Sequence, residues 1–171
     1  MVKETHTTSG QISRTENSKK VEDSVVEQAH LLFPAYLNSS HRLFGGQLMM
    51  WIDEVAGIVA RRHCETRITT AAVDNLQFKE GAKAGEVIVL VGRMTYVGST
   101  SMEVRVDTYV EGMDGIRKSI NRAYVVEVAV DENMTPVPVP RLELHTPEQF
   151  AEWENGEKRY NFRKKRRQEG F

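Results

Sequence analysis

The sequence predicts an α+β fold, a curved antiparallel β-sheet wrapped around one long central helix. Three observations predict it. Leu48 to Ala60 is nearly all apolar, interrupted by Asp53 and Glu54, and has the length of a helix. Beyond about His63 the hydrophobic period changes from 3.6 to 2. The alternating segments that follow are divided by short glycine-bearing turns, which is the pattern of an antiparallel meander. A helix that is apolar almost all round needs more cover than one flat sheet face. Either the sheet curls around it or a second subunit closes over it.

Residues 1–20 are rich in Ser, Thr, Gln and charge and lack periodicity, so they read as a disordered arm. Val25 to Phe33 fits a first strand or a short helix, and Pro34 stops it. Asn38-Ser39-Ser40-His41 is a polar loop whose side chains suit turns and caps. The central helix begins near Gly45 and runs to about His63, with Arg61, Arg62 and His63 complementing its C-terminal dipole. Leu48, Trp51, Ile52, Val55 and Val59 recur at helical spacing as one core face. Met49, Asp53, Gly57 and Ala60 lie on a neighbouring face.

Ile68 to Phe78 reads as a strand, and Glu80 to Gly85 as a turn. Val87 to Val97 is a strongly β-branched strand. Gly98-Ser99-Thr100 marks a hairpin. Met102, Val104, Val106, Thr108 and Val110 alternate with Glu103, Arg105, Asp107 and Tyr109, the pattern of a half-buried strand. Gly112 to Gly115 turns the chain into a last strand, Ser119 to Val130, with Tyr124, Val126, Val128 and Val130 on one face. Pro136, Pro138 and Pro140 make an extended exit. His145 to about Tyr160 fits a helix docked on the surface, and Arg163-Lys164-Lys165-Arg166-Arg167 reads as a solvated basic end. The sharper reading of that end is a contact for a phosphate-bearing ligand or for nucleic acid. The domain is expected over 21–141, followed by a helical and basic tail over 142–171.

Composition excludes several classes of function. A formal net charge of -1 argues against bulk attraction to nucleic acid or to an anionic membrane. No apolar run approaches the roughly 20 residues that span a bilayer. One cysteine, Cys64, leaves no internal disulfide framework and suits a reducing, cytoplasmic setting. The five histidines show no metal-ligand spacing. There is no G-x-S-x-G elbow and no phosphate-binding P-loop. Cys64 beside His63 does not make a Cys–His pair, because adjacent residues on a helix face different ways.

Asp53 is the most informative residue. A carboxylate in an apolar helix must be paired, protonated or used. Asp is also a poor helix former and an improbable filler there. Glycines precede the helix, leaving N–H groups unobstructed at the end where the dipole favours negative charge. A carboxylate plus free N–H donors is the minimum for acyl hydrolysis: the donors hold the oxyanion, and the carboxylate activates water or attacks directly. Glu54, about 100° further round the helix, reads as a bridge to a strand, a loop or a partner subunit.

Asn38, Phe44-Gly45-Gly46 and Asp53-Glu54-Val55-Ala56, taken together, resemble the signature of hotdog-fold acyl-CoA thioesterases. Ile68-Thr69-Thr70-Ala71-Ala72-Val73-Asp74, Gly98-Ser99-Thr100-Ser101-Met102-Glu103-Val104 and Pro136-Val137-Pro138-Val139-Pro140 extend the resemblance across about Val21 to Arg141. The resemblance implies a curved sheet around a central helix, pairing of two such folds into a homodimer, assembly of dimers into a hexamer, and a site between subunits. It implies that Asp53 is the catalytic base or nucleophile and that Gly45 and Gly46 supply oxyanion donors. Asn38 then places water or the carbonyl, and Thr70 stands near the site. Ser99, Thr100 and Ser101 lie close to bound CoA. Relatives often have Gly where this chain has His41 and Arg where it has Ser99. Arg141 and the basic tail are the expected substitutes for that arginine.

The expected function is hydrolysis of acyl-CoA to free fatty acid and CoA, with no metal, no organic cofactor, no nucleic acid and no membrane as partner. The alternative is a non-catalytic acyl-CoA-binding sensor or regulatory module on the same fold. A hotdog hydratase is less well supported, because no His/Asp pair is visible in the cleft.

Overall fold

The structure, a computed structural model, describes residues 17–170 apart from 75 and 79. Most of the expected disordered arm therefore lies outside the described residues. Its last part is ordered: strand β1 (Ser18–Lys20) pairs in parallel with β7 (Arg141–Glu143). The ambiguous Val25–Phe33 segment is a strand, β2 (Val26–Leu31).

The long helix α1 (Gly45–Cys64) ends at Glu65, whose left-handed backbone (φ 55°) returns its N–H to the Arg61 carbonyl. Four strands follow it: β3 (Arg67–Asp74), β4 (Val87–Val97), β5 (Ser101–Glu111) and β6 (Arg117–Val130). They join β2 in an antiparallel sheet of order β2-β4-β5-β6-β3. β3 stops at Asp74, short of the expected Phe78, and carries a bulge between Thr70 and Ala72. β6 starts at Arg117, two residues before the expected Ser119, because its pairing with β5 continues to Glu111.

Residues directly opposite one another in an antiparallel pair share a face. Met102, Val104 and Val106 of β5 oppose Glu127, Val125 and Ala123 of β6, and this inner row meets α1. On the helix, Leu48, Trp51, Ile52, Val55, Ala56, Val59 and Ala60 are buried. Ala60 thus belongs to the core face and not to its neighbour. The approach is close at Gly92 of β4, where a Cβ would stand 2.5 Å from Val55 and 2.9 Å from Val59.

α1 is buried on one side only. Met49, Met50 and Ile58 are 45%, 48% and 36% exposed, and Asp53 and Glu54 share that side. The buried carboxylate expected at position 53 is therefore an exposed one in the single chain. Counting apolar residues round a helix does not say which of them this chain covers itself. Glu54 makes no ion pair among the described residues, so the expected bridge to a strand or loop of this chain is not formed.

The C-terminal helix α2 (Pro147–Glu169) is longer than expected and takes in the basic end. Thr146 caps it in a reciprocal box with Gln149, and Pro147 occupies the first turn. α2 lies on the outer face of the sheet. Gly156 lets it settle on Tyr96, a Cβ there standing 2.6 Å from the Tyr96 Cβ, while Trp153 and Tyr160 flank the same ring. The solvated-tail reading fails for Arg163, which is 9% exposed and bonds both Asp74 and Glu103 at 2.8 Å. No helix among the described residues is long and apolar enough to cross a membrane.

Candidate active site

The structure brings Asp53 and Thr70 together. Thr70 Oγ1 lies 2.8 Å from Asp53 Oδ1, linking the exposed side of α1 to the edge strand β3. The same hydroxyl lies 3.3 Å from Glu127 Oε1 on β6. Glu127 is fully buried and was not among the residues expected from sequence. The available signal was the row Ala123, Val125, Glu127, Ala129, in which one acid interrupts an otherwise apolar face. Burial, and then the nearby charge of Asp53, push the Glu127 carboxyl up to about 7. The hydrogen bond from Thr70 opposes the rise but does not cancel it.

Gly45 and Gly46 occupy the first turn of α1. Phe44, the residue before it, has no capping side chain, so the first-turn N–H groups are left for an anion or a carbonyl oxygen. The exposed rings of Phe44 and Phe78 lie over these glycines, and a Cβ would stand 2.5 Å from Phe44 at Gly46 and 3.2 Å from Phe78 at Gly45. From Gly46 to Asp53 is seven residues of helix, about 10 Å. The donors and the carboxylate of one chain are thus too far apart to act on the same carbonyl.

Asn38 sits in the loop before α1. Its Oδ1 accepts from the backbone N–H of Ser40 (2.9 Å) and Arg42 (3.2 Å), so only its amide N–H₂ is left to face a substrate. In the same loop His41 takes a left-handed backbone, φ 55°, the conformation that glycine adopts without strain.

Thr100 and Ser101, at the β4–β5 turn, line a cavity of about 800 Å³ with Arg163, Arg166 and Arg167 of α2. Ser99 is not in its lining; its carbonyl accepts from the Val139 N–H. Arg141 is not in it either, being held in β7 beside β1. Burial raises the Asp74 carboxyl, but hydrogen bonds from Arg163 and Arg166 outweigh that and hold it below the usual range. By strand parity this cavity opens on the outer face of β3 and β6, whereas Thr70 and Asp53 stand on the inner face. One chain does not join the two into a single site. His63 and Cys64 are not paired: His63 Nε2 is 3.1 Å from the Pro140 carbonyl, and the Cys64 thiol points to the Thr66 carbonyl.

The thioesterase superfamily model matches residues 41–116. The chain is 35% identical over 154 residues to the uncharacterized acyl-CoA thioester hydrolase YkhA of Bacillus subtilis (strain 168), covering 90% of each. It is 36% identical over 143 residues to the cytosolic acyl coenzyme A thioester hydrolase of Rattus norvegicus, covering 81% of this chain and 37% of that longer protein. Among solved structures, an apo-hexameric acyl-CoA thioesterase superposes with a TM-score of 0.84 at 36% identity, covering 88% of this chain and 97% of that one. The acyl-CoA hydrolase of Staphylococcus aureus, in complex with butyryl coenzyme A, coenzyme A and coenzyme A disulfide, gives 0.84 at 29% identity, covering 89% and 93%. That enzyme has also been solved as Asp-to-Ala, Asn-to-Ala and Thr-to-Ala variants. With the hotdog architecture in place and relatives matched along nine-tenths of its length, the chain belongs to the acyl-CoA thioester hydrolases of the thioesterase superfamily.

Proposed function

We propose that the chain hydrolyses fatty acyl-CoA to free fatty acid and CoA, with Asp53 as the reacting carboxylate. The observation that carries this is the Asp53–Thr70 contact at 2.8 Å on the open side of α1, where Met49, Met50 and Ile58 are also exposed. A second observation supports it. The S. aureus variants replace an Asn, an Asp and a Thr separated by 15 and 17 residues, the separations of Asn38, Asp53 and Thr70 here.

Asp53 takes a proton from water as the water oxygen attacks the thioester carbon. The carbonyl electrons move to oxygen, and collapse of the tetrahedral intermediate breaks the C–S bond and returns the proton to the departing thiolate. In the nucleophilic variant the Asp53 oxygen attacks the thioester carbon first and expels the CoA thiolate, and water then hydrolyses the anhydride, giving one proton to the thiolate and freeing Asp53. In both, Gly45 and Gly46 hold the oxyanion. The gap of about 10 Å along α1 requires those donors to come from a second copy of the chain, with Asn38 of that copy beside them. The exposed Met49, Met50 and Ile58 are apolar cover for the same contact. Dimers would then assemble as in the hexameric relatives. The arginine-lined cavity beside Thr100 and Ser101 is the candidate contact for the phosphates of CoA.

Thiol release from a panel of acyl-CoAs, with wild type and Asp53→Asn side by side, tests the reading. Turnover by wild type and none by the variant supports it, and full activity in Asp53→Asn sinks it. Sedimentation of the wild-type protein tests the assembly, and a monomer with full activity would overturn the shared site.

A further inference from the structure

Glu127 is a buried acid for which the catalytic scheme above has no use. Its Oε1 faces Thr70 Oγ1 at 3.3 Å, and its Oε2 has no hydrogen-bond partner among the described residues. Thr70 is therefore flanked by two carboxylates, Asp53 at 2.8 Å and Glu127 at 3.3 Å. A threonine hydroxyl has one proton to donate and lone pairs to accept with. It satisfies both neighbours only if one of them brings a proton of its own. Asp53, exposed in the chain, is the one that solvates its charge. Glu127, at 0% exposure, is the one for which charge is costly.

We infer that Glu127 is a positioning residue for Asp53: in its protonated form it donates to Thr70 Oγ1 and so commits the single Thr70 proton to Asp53. This rests on the reading of Asp53 as the reacting carboxylate. The chain then has one direction, from the Glu127 O–H to Thr70 Oγ1 and from the Thr70 O–H to Asp53 Oδ1. It fixes the carboxylate rotamer against β3. When Glu127 loses its proton, two anions compete for one hydroxyl, and Asp53 is released from its orientation.

The surroundings favour the protonated form. From α1, Asp53 faces Glu127 with a like charge, and the neighbouring Cys64 thiol, raised by burial and then by Glu127, is held in its neutral form. β3 presents Thr70 and β5 presents Met102, its register partner. Among the described residues no cation makes a salt bridge to Glu127. Its carboxyl stands at about 7, so the switch in orientation falls near neutral pH.

The experiment is a pH series of kcat from about pH 6 to about pH 8.5, by thiol release from the faster of butyryl-CoA and palmitoyl-CoA. Wild-type kcat is expected to fall by roughly fivefold or more as Glu127 ionises. Glu127→Gln supplies a permanent N–H donor in the same place and is expected to lose the fall. A wild-type profile without the fall, or a fall that survives in Glu127→Gln, overturns the proposal. If Glu127→Gln does not fold, Thr70 carries the test: Thr70→Val cuts the chain and must lose the fall in its residual turnover, while Thr70→Ser must keep it. A fall retained in Thr70→Val overturns the proposal equally. Asp53→Asn run alongside separates the two failures. An active Asp53→Asn removes the reading of Asp53 itself. An inactive Asp53→Asn with an unchanged pH profile in Glu127→Gln removes only the role of Glu127.

Discussion

The two faces of the sheet bury acids in opposite ways. On the outer face, Glu103 is met by Arg159 and Arg163, each at 2.8 Å, and Asp107 by Arg105 at 2.7 Å and Arg122 at 2.6 Å. Both acids are almost wholly buried. On the inner face Glu127 has, among the described residues, one hydroxyl and no cation. Burial is common to all three, so it says nothing about role. What separates them is how many of their lone pairs the fold fills. A carboxylate saturated by guanidinium groups is a clamp that fastens α2 and the neighbouring strands. A carboxylate left short is kept neutral, within one hydroxyl of an exposed acid, and can act on it.

That contrast can be broken at several points. The largest effect is expected on the exposed acid. Asp53→Asn should cut turnover by about a thousandfold without lowering the unfolding midpoint in urea, because the amide oxygen still accepts from Thr70 and the like charge facing Glu127 is removed. Next comes the outer clamp. Glu103→Ala takes from Arg159 its close carboxylate and leaves Arg163 with Asp74 alone, and should cost about 3–5 kcal/mol in urea unfolding, with the loss appearing as release of α2. A cost under about 1 kcal/mol would remove the distinction between the two faces.

The inner acid should show its effect through pH. The unfolded chain releases the Glu127 proton near 4.5 and the folded chain near 7. Between those values the folded state holds a proton that the unfolded state has lost. Its contribution is therefore complete below the unfolded value and disappears as pH rises through the folded one, a loss of about 3 kcal/mol. His30 and His63, lowered by burial, act in the opposite direction, and they cancel in the difference between wild type and Glu127→Gln. That difference should grow in favour of the variant from pH 5 to pH 8. The smallest effect is expected at the rim of the arginine cavity. Arg167→Ala should raise KM for acyl-CoA by about threefold to tenfold, and not for the corresponding acyl-pantetheine, which has no phosphate to contact.

The sheet and α1 were legible because hydrophobic period is a strong signal over 10 to 20 residues. The extent of α2 was not. Arg163 to Arg167 has the composition of a solvated end, and only partners distant in sequence, Asp74 and Glu103, reveal that one side of it is docked. The strict alternation in β5 placed Glu103 and Asp107 correctly on the outer face. It could not show that α2 and a layer of arginines lie over that face. The pairing of Asp53 with Thr70 joins a helix to a strand across 17 residues and is invisible to periodicity, so the resemblance, not the spacing, suggested it. Glu127 is legible in sequence as the one acid in the row Ala123, Val125, Glu127, Ala129, but the aromatic and β-branched row beside it carries the stronger hydrophobic signal.

Gly92 has a consequence for how sequences of this kind can vary. Val55 and Val59 rest in the space where its side chain would be. Positions 92, 55 and 59 are therefore a single steric unit, and an alanine at 92 is compatible with the same helix height only where one of the two valines has become smaller. A chain that accepts the alanine without that exchange must shift α1 off β4, and Asp53 moves with the helix relative to Thr70. Loss of activity would then arise from a methyl group on the far side of α1 from Asp53.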